Sequence, residues 1–209
     1  IAARLLTKPH WSLAQHQQRL ADERKRLDQL SYQDLDVRAS LALSYGSLPQ
    51  DARRLLCRLG DIDIPDITVW SSAALLNSSP ADAEESLEAL HDAQLLDVAG
   101  HETGGYCRYR LHDLVRLFAR ERASVDDDRA DMDAARRRML GSWLYLVETA
   151  YAKVYGGSSE NIRSPAVRHV VAEDLADAVT ADPVAWITAV RQSIVLLVRR
   201  AAQHNEVAA

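Results

Sequence analysis

The chain has 209 residues, 47% of them hydrophobic, with 8 glycines, 6 prolines and a single phenylalanine; this length and apolar content support real cores and exclude a low-complexity chain, and the abundance of Ala, Leu and Arg favours helices over sheets. A formal net charge of −5 gives no general attraction to a polyanion, so any nucleic-acid reading needs a local basic face. The two cysteines, Cys57 and Cys107, exclude a disulfide framework and have no zinc-ligand spacing, and they read as buried thiols in a reducing compartment.

No run of 18 apolar residues and no signal-peptide layout occurs, and the chain begins at Ile1. The expectation is an internal piece of a longer, soluble, cytoplasmic protein with no membrane partner.

Ile1 to Leu6 reads as the tail of a helix stopped by Lys8 and Pro9. Ser12 caps the next helix, where Leu13, Leu20 and Leu27 leave a thin apolar stripe that ends around Leu30 and Ser31. Leu35 to Tyr45 carries Leu35, Ala39, Ala42 and Leu43 and stops at Gly46, and Pro49 opens a second helix through Leu55, Leu56 and Leu59 to Gly60. A short helix from about Asp66 to Leu76 follows. Ser79 is placed as an N-cap and Pro80 as the first residue of a further helix, whose apolar side is Ala83, Leu87, Leu90 and Leu95. Leu95 to Ala99 and Tyr106 to Leu111 read as two strands joined by a turn over Gly100 to Gly105. Helix, helix, turn, helix, hairpin, helix is the order of a winged-helix unit.

At Leu111 the apolar period changes from two to about 3.6. Leu111, Leu114, Val115 and Phe118 form one stripe, while Arg116 and Arg120 lie a turn apart on a polar side. His112 and Asp113 therefore stand at a strand-to-helix junction. The first backbone N–H groups of a helix have no internal partner and lie at the positive end of its dipole, so a phosphate oxygen could be received there with His112 as an added donor. The same spacing also fits a plainer arrangement, with Asp113 capping the helix and His112 a partly buried junction residue.

Ser124 to Asp133 is acidic and reads as a solvated connection or a helix start, with a domain boundary placed there. Met139, Trp143, Leu144, Leu146, Val147 and Tyr151 mark a long apolar helix face closed by Gly156 and Gly157. Ser158 to Arg168 is the most loop-like stretch. A last helix starts at Asp182 and Pro183 and aligns Trp186, Ile187, Val190, Ile194, Leu197 and Val198, an apolar face that calls for a partner. The expected fold is mainly α: a helical segment, a winged-helix domain with a small β-hairpin, and a C-terminal helical segment.

Functional motifs are few. Asp82, Glu84, Glu85, Glu88 and Asp92 would set like charge against phosphates on the helix a winged-helix protein inserts into DNA, so direct DNA reading by that helix is disfavoured. The Arg face at Arg108, Arg110, Arg116 and Arg120, with Arg136 to Arg138 beyond it, is the local basic feature. No GxSxG, HExxH or Walker-type GxxxxGK[ST] motif occurs. His10, His16, His91, His101, His169 and His204 are scattered. Asp126 to Asp128 lack the alternation and distal Glu of a calcium loop.

The blocks HWSLAQHQQRLADERKRLDQL, DVRASLALSYGSLPQDARRLLCRLGDID, AEESLEALHDAQLLDVAG and YRLHDLVRLFARERA, agreeing in order and spacing over about Ile1 to Ala123, resemble the middle of signal-transduction NTPases of the NB-ARC (STAND) class. Within it they look like the large bacterial transcriptional activators of the antibiotic-regulatory-protein type. The resemblance implies residues 1–31 as the end of a small helical domain and 32–123 as the winged-helix domain. It implies 124–181 as a connecting helical segment with a loop near 156–168, and 182–209 as the first helix of a tetratricopeptide sensor region. Val190 and Ser193 depart from that region's usual Glu and Asn.

Leu111 to Asp113 stands where such proteins carry an MHD motif, whose histidine contacts the β-phosphate of ADP and holds the molecule closed. By resemblance His112, and more weakly Asp113, are the cofactor-binding residues. The parent protein would bind ADP or ATP with Mg, its P-loop lying upstream, so this fragment has no active site of its own and by itself binds ADP weakly or not at all. Implied partners are the upstream nucleotide-binding domain, a downstream helical-repeat domain, DNA through another domain of the parent, and a second copy in a homo-oligomer. The function implied is the regulatory part of a nucleotide-switched transcriptional regulator. The alternative left by the residues is a stand-alone DNA-binding winged helix with a C-terminal dimerisation helix.

Overall fold

The computed structural model describes residues 37–62, 64–156 and 165–203. The helices expected before residue 37 and most of the expected loop over 158–168 lie outside the described residues. The described chain is mainly helical with one small hairpin, as expected: α1 (Val37–Ser47), α2 (Gln50–Asp61), α3 (Val69–Leu76), α4 (Pro80–Asp92), β1 (Asp97–His101), β2 (Cys107–Arg110), α5 (Asp113–Asp126), α6 (Arg129–Tyr155), α7 (Glu173–Val179) and α8 (Pro183–Gln203).

The start signals act as local chemistry dictates. Thr68 caps α3 and shares a capping box with Ser71, which starts that helix at Val69 and not at Asp66 as the pattern predicts. The two residues before it are otherwise engaged, because Ile67 forms an antiparallel bridge to Tyr109. Ser79 and Asp82 form a second capping box, each side chain accepting from the other's backbone N–H at 3.2 Å, with Pro80 in the first turn of α4. Replacing Ser79 with Ala leaves the Asp82 N–H without its acceptor and should lower stability by about 1 kcal/mol, read from the urea midpoint. Asn77 ends α3 in the left-handed conformation, φ 58°, and Gly156 ends α6 in the same way.

Two elements differ from the pattern. In α1, Leu43 is 77% exposed and Tyr45 is the buried residue, with Leu48 buried just after the helix; the stripe is displaced because Tyr45 packs edge-on against Phe118, 5.8 Å between ring centroids. The hairpin pairs Asp97 with Arg110 and His101 with Cys107, with an irregular register between Val98 and Gly100. Leu95 and Leu96, expected in the first strand, are buried ahead of it.

The apolar faces close on one continuous core that runs from Tyr45 to Leu197. Ala83, Leu87, Leu90 and Leu95 are all buried, as their spacing predicts. α5 lies along α2, and α6 lies between α3 and α8. Three indoles mark that last layer: Trp70 meets Trp143 edge-on at 4.7 Å, and Trp143 stacks on Trp186 at 6.3 Å. Such aromatic pairs are worth about 0.5–1.5 kcal/mol each beyond the area they bury. Val190 and Ser193 are both buried in α8. Among the described residues no single helix is long and apolar enough to cross a membrane.

Candidate functional site

The junction that carries His112 is fixed from three sides. β2 is zipped to β1, and Tyr109 exchanges both backbone bonds with Ile67 at 2.8 Å. Leu111, next in sequence, is 2% exposed and anchors in the core. α5 then starts at Asp113 with His112 as its N-cap, φ −64° and ψ 145°. The plainer arrangement, with Asp113 as the cap and His112 partly buried, is corrected: the cap is His112, and its side chain is exposed.

The cap settles a proton. The Nδ1 of His112 accepts the backbone N–H of Leu114 at 3.3 Å, and an amide N–H can only donate, so Nδ1 is bare and the ring proton sits on Nε2. The side chain is exposed. His112 thus presents an N–H donor at the positive end of a 14-residue helix, the chemistry an anionic oxygen requires. Asp113 is exposed in the first turn, where the dipole favours its negative charge; it offers no donor to an anion. His91 makes the opposite arrangement: its Nδ1 faces the carbonyl of Leu96 at 2.9 Å and must donate, so it is a satisfied junction residue.

Of the expected basic face Arg110 is exposed, as is Arg137 beyond it, and the other members turn toward the molecule. Arg116 donates to the carbonyls of Leu59 at 3.4 Å, Ile62 at 2.5 Å and Ile64 at 3.3 Å, and Arg120 donates to Gly60 at 2.8 Å. Both act as outside caps for the last turn of α2, where the carbonyls have no internal partner. Arg108 faces Asp66 at 3.6 Å. Arg138 donates to Ala74 at 2.9 Å and Leu75 at 3.1 Å, closing the end of α3 in the same manner, and Arg136 pairs with Asp61 at 2.9 Å. Asp82, Glu84, Glu85, Glu88 and Asp92 of α4 are all exposed.

The acidic run is equally spent on structure. Asp126 accepts from Tyr45 at 2.8 Å and from Arg122 at 2.6 Å. Asp127 meets Arg58 at 2.9 Å, and Asp128 caps α6 through the N–H groups of Ala130 and Asp131. Of the two readings of this stretch, solvated connection or helix start, the structure shows the second. Cys57 is buried, and burial pushes its thiol above the ordinary range. Cys107 is only half-buried, a correction to the expectation of two buried thiols.

Sequence reasoning missed two residues that matter. Arg58 is 2% exposed and donates to Leu75 as well as to Asp127; its signal was its place inside the apolar run Leu55 to Gly60, where a solvated arginine has no room. Glu102, in the hairpin turn, carries a buried carboxyl group, and no spacing rule marks it.

No protein-family model matches the chain, and no solved structure matches it. Two bacterial proteins do. The chain is 40% identical over 152 residues to the regulatory protein AfsR of Streptomyces griseus, a match that covers 72% of this chain and 15% of that protein. It is 39% identical over 155 residues to the regulatory protein AfsR of Streptomyces coelicolor, again over 72% of this chain and 15% of that protein. The chain spans about 15% of the length of these curated relatives, and it is to that segment of two Streptomyces regulatory proteins that it is homologous.

Proposed function

We propose that this chain is the regulatory segment of a nucleotide-switched transcriptional regulator, and that His112 donates from Nε2 to a phosphate of ADP held by a nucleotide-binding domain of the same parent protein. The single observation behind this reading is the cap of α5, which leaves an exposed donor at a helix N-terminus. The similarity to two regulatory proteins supports the regulatory part of it. In the ADP state the contact ties the α5 junction to the nucleotide domain; with ATP and Mg bound the differential contact is lost and the helical unit is released. Any DNA contact belongs to another domain of the parent, since Arg116 and Arg120 are engaged by backbone carbonyls and α4 presents carboxylates.

The test is ADP retention by a longer form of the protein that includes the upstream region, purified without added nucleotide, with His112 or with His112→Ala. A charge-assisted hydrogen bond to phosphate is worth about 1.5–3 kcal/mol, so ADP affinity should fall roughly 10- to 150-fold in the variant. Equal retention by both forms would remove His112 from the phosphate.

A further inference from the structure

One residue of the hairpin turn points into the molecule while its neighbours Thr103, Gly104 and Gly105 remain exposed. Glu102 is 9% exposed, its Oε1 accepts the indole N–H of Trp70 at 3.2 Å, and its Oε2 is buried without a hydrogen-bond partner. Two residues on, Gly104 lies so close to α7 that a Cβ there would stand 3.0 Å from the carbonyl carbon, the carbonyl oxygen and the Cβ of Ala178. The turn is thus docked on α3 through the Glu102 carboxyl group, a plug against Trp70, and on α7 through the backbone of Gly104.

The charged groups around the plug are few. Arg108 of β2 and Asp66, ahead of α3, both act on Glu102 through space. α3 presents the neutral Trp70. α7 meets the tip at Ala178, and its neighbour Asp177 is taken by Lys153 at 2.8 Å. His101, beside Glu102 in the turn, is exposed.

We propose that Glu102 is a proton-operated latch: as a neutral carboxyl it keeps the hairpin turn docked against Trp70 and α7, and as a carboxylate it moves out to solvent and undocks the turn. An ionised carboxylate with one oxygen unsatisfied is costly to bury, whereas the neutral acid is tolerated. Burial pushes Glu102 up to about 7 from an ordinary 4.5; the Trp70 N–H and the Arg108 guanidinium pull it down, and Asp66 pushes it further up. Because the docked form has the raised value, its advantage is complete below 4.5 and is lost as pH rises through about 7. The docked-to-undocked ratio then changes on the order of a hundredfold across that interval. Strand β2 runs from this turn to the residue before Leu111, so the latch acts on the strand that positions His112, yet it stands independently of any nucleotide.

The test uses the intact chain carrying Trp11→Phe, so that emission reports Trp70, Trp143 and Trp186. On raising pH from about 4.5 to 8, emission should change sigmoidally, and the amides of Glu102 and Gly105, bonded to Tyr106 O and Glu102 O, should exchange at least tenfold faster after correction for base catalysis. Glu102→Gln should abolish both changes and keep the turn protected throughout. Asp66→Asn, which leaves Glu102 in place, should move the midpoint to lower pH. Flat emission in the parent, the same transition in Glu102→Gln, or an unmoved midpoint in Asp66→Asn would overturn the latch.

Discussion

Arg58→Ala should cost about 2–4 kcal/mol of unfolding free energy, because it removes a buried guanidinium and its bond to Leu75 and leaves the little-exposed Asp127 side chain without its counter-charge. The two side chains are 2% and 7% exposed and 2.9 Å apart, so solvent does little to rescue the partner left behind. The guanidinium also donates to the carbonyl of Leu75 at 2.6 Å, tying the end of α3 to α2 and to the α5–α6 junction. Arg54→Ala is the matched control: its pair with Asp51 is 40% and 62% exposed and should be worth less than about 1 kcal/mol. Thermal and urea unfolding of both variants decides the matter. A loss for Arg58 as small as that for Arg54 would mean the buried pair is not what joins these helices.

Gly60→Ala should destabilise by about 1–3 kcal/mol although it adds a single methyl group. A Cβ at Gly60 would stand 2.7 Å from the Cβ of Ala119 and 2.8 Å from Ala119 C and Arg120 N. Two of those atoms are backbone and cannot swing aside, so α2 and α5 must part along the contact that buries Leu55, Leu56 and Phe118. Separation would also stretch the bond from Arg120 to the Gly60 carbonyl, now 2.8 Å. Gly46→Ala makes the contrast: a Cβ there meets nothing within 4 Å, and in a helix the change should stabilise by up to about 1 kcal/mol. Denaturant titrations should give opposite signs for the two glycines. The same sign in both would leave close helix approach without support.

The sequence made the elements legible wherever their signals are local. The Ser79 cap, the Pro at the start of α4, the glycine stop at Gly156 and the 3.6-residue stripes of α4 and α5 depend on neighbours within a turn or two, and the structure has them where the pattern places them. Gly60 was read only as a helix stop; the actual reason for a glycine there lies 59 residues away at Ala119. The arginines failed for a related cause. On a helical wheel Arg116 and Arg120 form a polar side, and nothing in their own segment says that this side meets the open carbonyls of another helix. At the candidate site, the residue and its junction could be read from the change of period, whereas the identity of the capping side chain and the nitrogen bearing the proton required the Leu114 N–H to be placed.

α6 has 27 residues, about 40 Å of uninterrupted helix. It starts two residues after the Asp127 that grips Arg58, is joined to α3 through Arg138, and has α8 against its other side. One continuous helix thus touches α2, α3 and α8, so a displacement of α8 that leaves α6 straight has to be met at α2 and α3 as well.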